Sequence, residues 1–552
     1  MSSNGRRQRG DVALVRETLR GLWVTATVWV VGGGIANVAM VLSLKREMDT
    51  FPGGPKALAA SVLPAAEAMR PLRWPAERLD TLGGYVTYHN LTLFALFLAV
   101  YGAIQGAKSI KGAEDRHVLE EILATGRSRA SVVLDRSLGF LLTAGYVTLG
   151  LGAGVALAFA AAGESQVSRS FLAMVGPGLG MLVAYGLGLL LAQLTRSAPS
   201  AAGVASVLLV GFYVVENTWP DLGALAWLRF GSPFHYINLT RTLVPGQGFD
   251  PGAAAVLVCV AAALVLGAGW AFARRDYSSP LWVWRHARRR ATLPGPTTRR
   301  LLHSVAAAHV LRGRFGILAW SGGAFVFGVL MLFLEPSVMD MWSWFATFMP
   351  GGVSPLGASP EEQYVDVSTA LAVPFVAGVV VSQAAGWVRD VAQGRVEMVL
   401  ASPVSTARLV VARLAAVVAA SALVGLGALA GVLLGGAWSD VPMDAAGLAR
   451  VEAACVLLGL GLAGVAGVVV AVFPGTLAVT VFGAVIGASY LVGYLVELLG
   501  WPAWVSRFSL VTLFGHPYLG RLAAADVAVL AGLCAVGVAL AGVVIDRKPK
   551  AV

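Results

Sequence analysis

Long apolar runs separated by short polar connections dominate this chain of 552 residues. An α-helix needs about 20 predominantly apolar residues to cross a bilayer. Six runs of that kind lie in the first half, near 21–44, 86–105, 137–163, 171–194, 200–218 and 251–273. Six more lie in the second half, near 315–334, 367–386, 414–437, 449–472, 475–498 and 523–545. The pattern predicts an all-α integral membrane protein of about twelve transmembrane helices.

The composition supports this fold class. Hydrophobic residues make up 57% of the chain and charged residues 13%, with a mean hydropathy of +0.74. A water-soluble globular surface needs more charge than that. The net charge of +11 does not indicate nucleic acid binding, because the basic residues lie between apolar runs and form no soluble basic face.

Charge in the connections predicts the orientation. Arg274 and Arg275 begin an Arg-rich connection that extends through 281–300, whereas Glu335 to Asp366 contains acids and no Lys or Arg. Basic loops stay in the cytoplasm. The chain is therefore predicted to be a multi-pass protein of a bacterial plasma membrane with both termini in the cytoplasm.

Two stretches that follow the second and eighth runs align without a gap. Glu120 to Ala130 matches Glu397 to Ala407, and Arg136 then matches Arg413 at the same spacing. Near the ends of the fifth and eleventh runs, Tyr213-Val-Val-Glu216 resembles Tyr494-Leu-Val-Glu497. These matches predict a first six-span half at 1–280, a basic cytoplasmic linker at 281–300 and a second half at 301–552. Each half has an even number of spans, so the two repeats should be parallel.

The first aligned stretch has the pattern of a surface helix. Val118, Leu119, Ile122 and Leu123 recur at helical spacing opposite Glu120 and Glu121. Gly126 in one copy and Pro403 in the other end this helix, and Ser128 and Ser405 can cap the next one. The sequence predicts an elbow, a helix followed by a break and a second helix, in each half. A lone elbow would be an ordinary interfacial helix, but two equivalent ones form a docking platform.

These elbows resemble the coupling helices of ABC type 2 export permeases, which carry a Glu, a Leu-Ala pair, a small-residue break and a downstream Arg. The fused, twelve-span form resembles actinobacterial antibiotic exporter permeases of the tetronasin or multidrug type. The resemblance implies that eleven residues couple the chain to its ATPase: Glu120, Glu121, Leu123, Ala124, Gly126, Arg136, Glu397, Leu400, Ala401, Pro403 and Arg413.

The resemblance also implies a partner. No G-x-x-x-x-G-K-[ST] motif occurs, so the chain is not expected to hydrolyse ATP, nor to bind a cofactor or metal of its own. A separate ABC ATPase subunit, in two copies, would carry ATP and Mg beneath the elbows. Export of an antibiotic or another amphipathic drug-like molecule by alternating access would follow.

Two other function classes compete with this one. A proton-driven secondary multidrug transporter also has twelve spans in parallel halves, but it offers no reason for two surface elbows. A membrane enzyme would need clustered catalytic groups. His89, His235 and His516 instead lie near the predicted membrane edges and are interpreted as interfacial side chains.

The resembled family suggests a pathway between the second and fifth spans of each half. Aromatic residues in these spans could line an apolar pocket: Phe94, Phe97, Tyr101, Tyr213, Phe375 and Tyr494. Ordinary helix packing is the alternative for them.

The remaining candidates are Glu216 and Glu497, at the outer ends of the fifth and eleventh spans. A carboxylate there costs several kcal/mol unless it is paired, protonated or hydrated. Either each caps the following Trp-Pro segment or meets water, or the two face each other as an extracellular gate.

Overall fold

The computed structural model describes residues 3–68, 70, 73–115, 118–195, 197–275, 304–333, 358–402, 404–499 and 502–547. The chain divides into two compact units, Met1–Arg290 and Ala291–Val552. The boundary lies within the segment that the sequence marks as a basic linker, 281–300.

Unit 1, Met1–Arg290, contains helices and no strand in its described part. Its helices are α1 (Ser3–Thr50), α2 (Gly54–Ala68), α3 (Leu82–Glu114), α4 (Val118–Ala124), α5 (Arg129–Ala161), α6 (Val167–Leu194), α7 (Ala198–Thr218), α8 (Pro233–Asn238) and α9 (Pro251–Arg274). A 3₁₀ segment, Trp219–Gly231, connects α7 to α8.

Unit 2, Ala291–Val552, has six long helices and one short helix in its described part. They are α10 (Val305–Phe333), α11 (Pro360–Ala392), α12 (Arg395–Leu400), α13 (Thr406–Trp438), α14 (Ala445–Val472), α15 (Gly475–Leu499) and α16 (Ala524–Arg547). A shorter 3₁₀ segment, Ala503–Phe508, precedes α16.

Eleven helices in the described residues are long and apolar enough to cross a membrane. The remaining predicted run coincides with α15, whose described apolar part is Leu477–Gly493. The prediction of an all-α integral membrane protein is confirmed. The first predicted run, 21–44, lies within a longer helix, because α1 extends from Ser3 to Thr50 and has 48 residues.

Glycines bring the helices of unit 1 into backbone contact. A Cβ added at Gly106 of α3 would lie 2.0 Å from the carbonyl oxygen of Tyr185 in α6, and one at Gly188 would lie 2.1 Å from that of Ala103. Gly34 and Gly154 join α1 to α5 in the same way. Close van der Waals contact of this kind drives helix association in lipid, where no hydrophobic effect operates between helices.

The same device recurs in unit 2. A Cβ at Gly431 of α13 would lie 2.1 Å from the carbonyl oxygen of Phe325 in α10. Gly464 of α14 and Gly537 of α16 face each other, and a Cβ at Gly537 would lie 2.0 Å from the carbonyl oxygen of Gly464. Each unit is therefore assembled from closely packed helix pairs.

Candidate functional site

The first elbow has the predicted geometry. Helix α4 buries Leu119 completely and exposes Glu120 and Glu121. Gly126 adopts φ +83°, a left-handed conformation that glycine accepts without strain, and its N–H donates to the carbonyl oxygen of Leu123 at 3.0 Å. Ser128 then caps α5, since its Oγ accepts from the N–H of Ser131 at 3.1 Å.

The second elbow repeats this plan. Helix α12 exposes Glu397, and Ser405 caps α13 by accepting from the N–H of Arg408 at 3.3 Å. Ser405 follows Ser128 by 277 positions, as Glu397 follows Glu120. Leu400 is partly buried and Ala401 is exposed, as Leu123 and Ala124 are in the first elbow. Pro403, the predicted break, lies outside the described residues.

The first elbow is joined to the end of α9. The Arg129 guanidinium donates from Nη1 to the carbonyl oxygen of Phe272 at 3.0 Å and also to that of Arg275. Both carbonyls lie at a helix C-terminus, where a cation is favourable. Arg127 forms an ion pair with Asp135 in the first turns of α5.

Beneath this contact lies a buried polar cluster of four residues: Lys111, Glu114, Gln193 and Arg275. Arg275 donates from Nη1 to Glu114 Oε1 at 2.9 Å and from Nε to Gln193 Oε1 at 2.8 Å, and Lys111 Nζ lies 3.2 Å from Glu114 Oε2. Each of the four is at most 3% exposed. The cluster ties α3, α6 and the end of α9 together.

This cluster corrects one sequence interpretation. Arg275 was counted only as an orientation signal, yet its side chain is buried and bidentate to Glu114. The acid comes from a position 161 residues earlier in the chain, and no local pattern marks that pairing.

Arg136 and Arg413 lie at the base of the third and ninth spans. Arg136 is 8% exposed and its Nη2 lies 3.5 Å from Glu17 Oε1 in α1. Arg413 forms an ion pair with Asp390 near the end of α11, and Asp390 also accepts from Arg395 at 3.2 Å. Both arginines thus bind an acid of their own unit, from different elements.

The pathway aromatics of the second span do not share one pocket. Phe94 contacts the position of Gly33, Phe97 is 52% exposed, and Tyr101 is 8% exposed. The Tyr101 hydroxyl lies 3.3 Å from Thr25 Oγ1, and its ring packs near Trp29. Tyr101 therefore packs against α1, and the pathway role that the sequence suggests for it stays a prediction.

The other predicted aromatics pack within their own units. Tyr213 is 2% exposed and meets Phe234 edge to face at 5.2 Å. Phe375 packs near Phe327 at 5.7 Å. The side chains of Tyr494 and Glu497 lie outside the described residues.

Glu216 is buried at 3% exposure and binds helix α8. Its Oε1 accepts from Asn238 Nδ2 at 3.1 Å and lies 3.4 Å from His235 Nδ1. Its Oε2 is buried without a hydrogen bond. Neither capping of the Trp-Pro segment nor a purely interfacial His235 describes this arrangement, because the chain after α7 folds back and places α8 against the carboxylate.

Unit 2 contains a comparable pair built from another helix. His516 Nδ1 lies 2.7 Å from Asp366 Oδ2, and Asp366 is 2% exposed with Oδ1 lacking a hydrogen bond. His516, like His235, precedes the last span of its unit. The two histidines therefore bind buried carboxylates, a role that the sequence did not indicate, and their interfacial position stays a prediction.

The structure also changes which residue of unit 2 corresponds to Glu216. Ser232 Oγ donates to the carbonyl oxygen of Phe212 at 2.9 Å, and Ser509 Oγ donates to that of Ser489 at 2.7 Å. Both bonds recur at the elbow spacing of 277 positions. At that spacing Gly493 corresponds to Glu216. Helix α15 has 25 residues against 21 in α7, so the Tyr-Leu-Val-Glu motif comes one turn later.

Comparison with known proteins gives one family. No curated protein matches the chain. Residues 76–273 and 302–545, most of the chain, match the family described as multidrug efflux system permease Rv1217c, C-terminal domain. The matched ranges include α3 to α8, all but the last residue of α9, α10 to α15 and both elbows. The chain is therefore a multi-pass membrane permease that belongs to the family of the multidrug efflux system permease Rv1217c, C-terminal domain.

Proposed function

We propose that this permease is the membrane subunit of an ATP-driven ABC exporter of antibiotics or other amphipathic drug-like molecules. The observation that carries the proposal is the recurrence of a capped elbow at one spacing, with Glu120 and Glu397 exposed on the same helical position. Exposed carboxylates can pair with basic groups in a groove of a partner. The two halves are, in this proposal, parallel repeats that dock two ATPase subunits, which hold ATP and Mg.

The first elbow is suited to transmit a movement. Its second arm begins at Arg129, which binds the last carbonyls of α9, and the buried cluster around Glu114 continues that connection to α3 and α6. A displacement of α4 therefore acts on several spans of unit 1 together. In this proposal, ATP-driven closure of the ATPases displaces the elbows and alternates access to the substrate site.

The test uses the double variant Glu120→Ala/Glu397→Ala, co-expressed with an ATPase encoded beside the permease. Because both carboxylates are exposed, the variant should fold normally, lose co-purification and lose drug-stimulated ATP hydrolysis. The matched control is Glu361→Ala, which removes an exposed carboxylate in the first turn of α11. Normal stimulated hydrolysis in the double variant would remove the coupling role.

Reconstitution separates this mechanism from proton-driven transport. Proteoliposomes that hold permease and ATPase should export drug with ATP when a protonophore has abolished the proton gradient. Export that requires the gradient and proceeds without ATP would support the secondary transporter instead.

A further inference from the structure

Glu452 is a carboxylate within a predicted membrane span. It lies seven positions after Ala445, the first residue of α14, and thus about 10 Å along the helix. The span Ala445–Val470 is among the most apolar of the chain. In the part of the chain that the structure describes, no residue forms an ion pair with Glu452, and its Oε2 is buried without a hydrogen bond.

Among the described residues, the surroundings of Glu452 supply no positive charge. A Cβ at Gly425 of α13 would lie 2.4 Å from Glu452 Oε2, so the carboxylate rests against the backbone of the neighbouring helix. Cys455 lies one turn further along α14 and is fully buried. Ser421, one turn from Gly425, is also fully buried, and its hydroxyl lacks a hydrogen bond. A lone carboxylate in such surroundings costs several kcal/mol.

Packing does not require this acid. At the elbow spacing of 277 positions, Glu452 of α14 corresponds to Val175 of α6, and the contact of Cys455 with Gly425 corresponds to that of Gly178 with Thr148. Val175 is partly buried, as Glu452 is, so an apolar side chain occupies that position in unit 1. Acids at such positions are retained for function, and they face a cation or a proton.

Glu452 is half-buried, so a ligand can reach it from the surface of unit 2. We propose that Glu452 binds the positively charged group of a lipophilic cationic substrate, such as a hydrophobic amine or a quaternary cation. The apolar helix surfaces around it take the hydrophobic body of the ligand, and the carboxylate forms the ion pair. The assignment rests on the proposed drug-export function, to which it adds a substrate class.

Binding of radiolabelled tetraphenylphosphonium to the purified permease, without any ATPase, tests the site directly. The cation should bind the Glu452→Gln variant about tenfold more weakly or worse, the scale expected for one lost desolvated ion pair. Glu452→Val, which copies Val175, should behave like Glu452→Gln. The control Glu361→Gln removes an exposed carboxylate and should bind normally. Unchanged binding by Glu452→Gln overturns the proposal.

A second experiment uses the wild-type protein and so does not depend on how a variant folds. Dicyclohexylcarbodiimide modifies protonated carboxyl groups in apolar surroundings, and mass spectrometry should locate the adduct at Glu452. Tetraphenylphosphonium should slow this reaction. An adduct that forms at the same rate with and without the cation would make Glu452 a proton site only and would overturn the proposal.

The two proposals can fail separately. Normal binding of a neutral drug together with no tetraphenylphosphonium binding would remove the cation site and leave the exporter intact. Loss of cation binding in Glu452→Gln, in a protein that never couples to ATP hydrolysis, would keep the site and remove the ATP-driven mechanism.

Discussion

The ion pairs near the two elbows differ in how they neutralise charge. In unit 1, Lys111, Glu114 and Arg275 form a cluster that is at most 3% exposed. In unit 2, Asp390 serves Arg413 and Arg395, whose side chains are 15% and 47% exposed. The ion pairs near the first elbow form a closed network inside the protein, whereas those near the second elbow are partly hydrated.

The difference shows that an alignment of the two elbows can locate the arginine of an ion pair but not its acid. Arg136 and Arg413 occupy equivalent positions after the elbows, but Glu17 of α1 faces the first and Asp390 of α11 faces the second. Any acid that reaches a buried arginine satisfies it. The arginine therefore keeps its place in the chain while its partner comes from a different helix.

The largest expected effect distinguishes the two sets of ion pairs directly. Glu114→Ala leaves Arg275 and Lys111 buried without an acid and should destabilise unit 1 by about 3–5 kcal/mol. Asp390→Ala leaves better hydrated arginines and should cost about 1–2 kcal/mol. Thermal unfolding of both variants in the same detergent shows which one loses more stability. Equal losses would mean that the two sets of ion pairs are equivalent.

The outer carboxylates should give the next effect. Glu216→Ala leaves His235 and Asn238 buried without this acceptor, and Asp366→Ala removes the carboxylate that binds the partly exposed His516, at about 1–3 kcal/mol each. His516 is the more exposed histidine, so the loss should be smaller in unit 2. Glu216→Gln keeps an acceptor, and it separates roles: slow export at normal stability favours a gate, whereas normal export leaves Glu216 as a packing residue.

The serine caps should show where the two units agree. Ser128→Ala and Ser405→Ala should each destabilise the first turn of their helix by about 1 kcal/mol. Hydrogen exchange at the starts of α5 and α13 should rise by a similar factor in both variants. Ser→Asp substitutions retain a capping oxygen and serve as controls, and a rise in only one elbow would contradict equivalence of the caps.

The smallest effect concerns Glu17. Its side chain is 58% exposed and its contact with Arg136 is 3.5 Å long, so Glu17→Ala should cost less than about 1 kcal/mol. The measurement is thermal unfolding beside the Asp390→Ala variant. A loss as large as that of Asp390→Ala would mean that the two arginines depend equally on their acids.

Local patterns predicted most of the fold. The apolar runs located the long helices to within a few residues at many ends, and Gly126 with Ser128 specified the elbow through local backbone chemistry. The pairings of Glu114 with Arg275 and of Asp366 with His516 join positions more than a hundred residues apart and left no local signal. Glu497 was misaligned with Glu216 because α15 carries an extra turn that a four-residue motif does not reveal.

The glycine contacts have a consequence for motion. Where a carbonyl oxygen occupies the place of a Cβ, as between Gly106 and Tyr185 or between Gly537 and Gly464, no layer of side chains separates the helices. Such pairs cannot slide past each other by rotamer changes, since the obstacle is the backbone itself. Helices α3 and α6 should therefore move together as one rigid body, and so should α14 and α16. Conformational change should occur at the other helix interfaces, where side chains can rearrange.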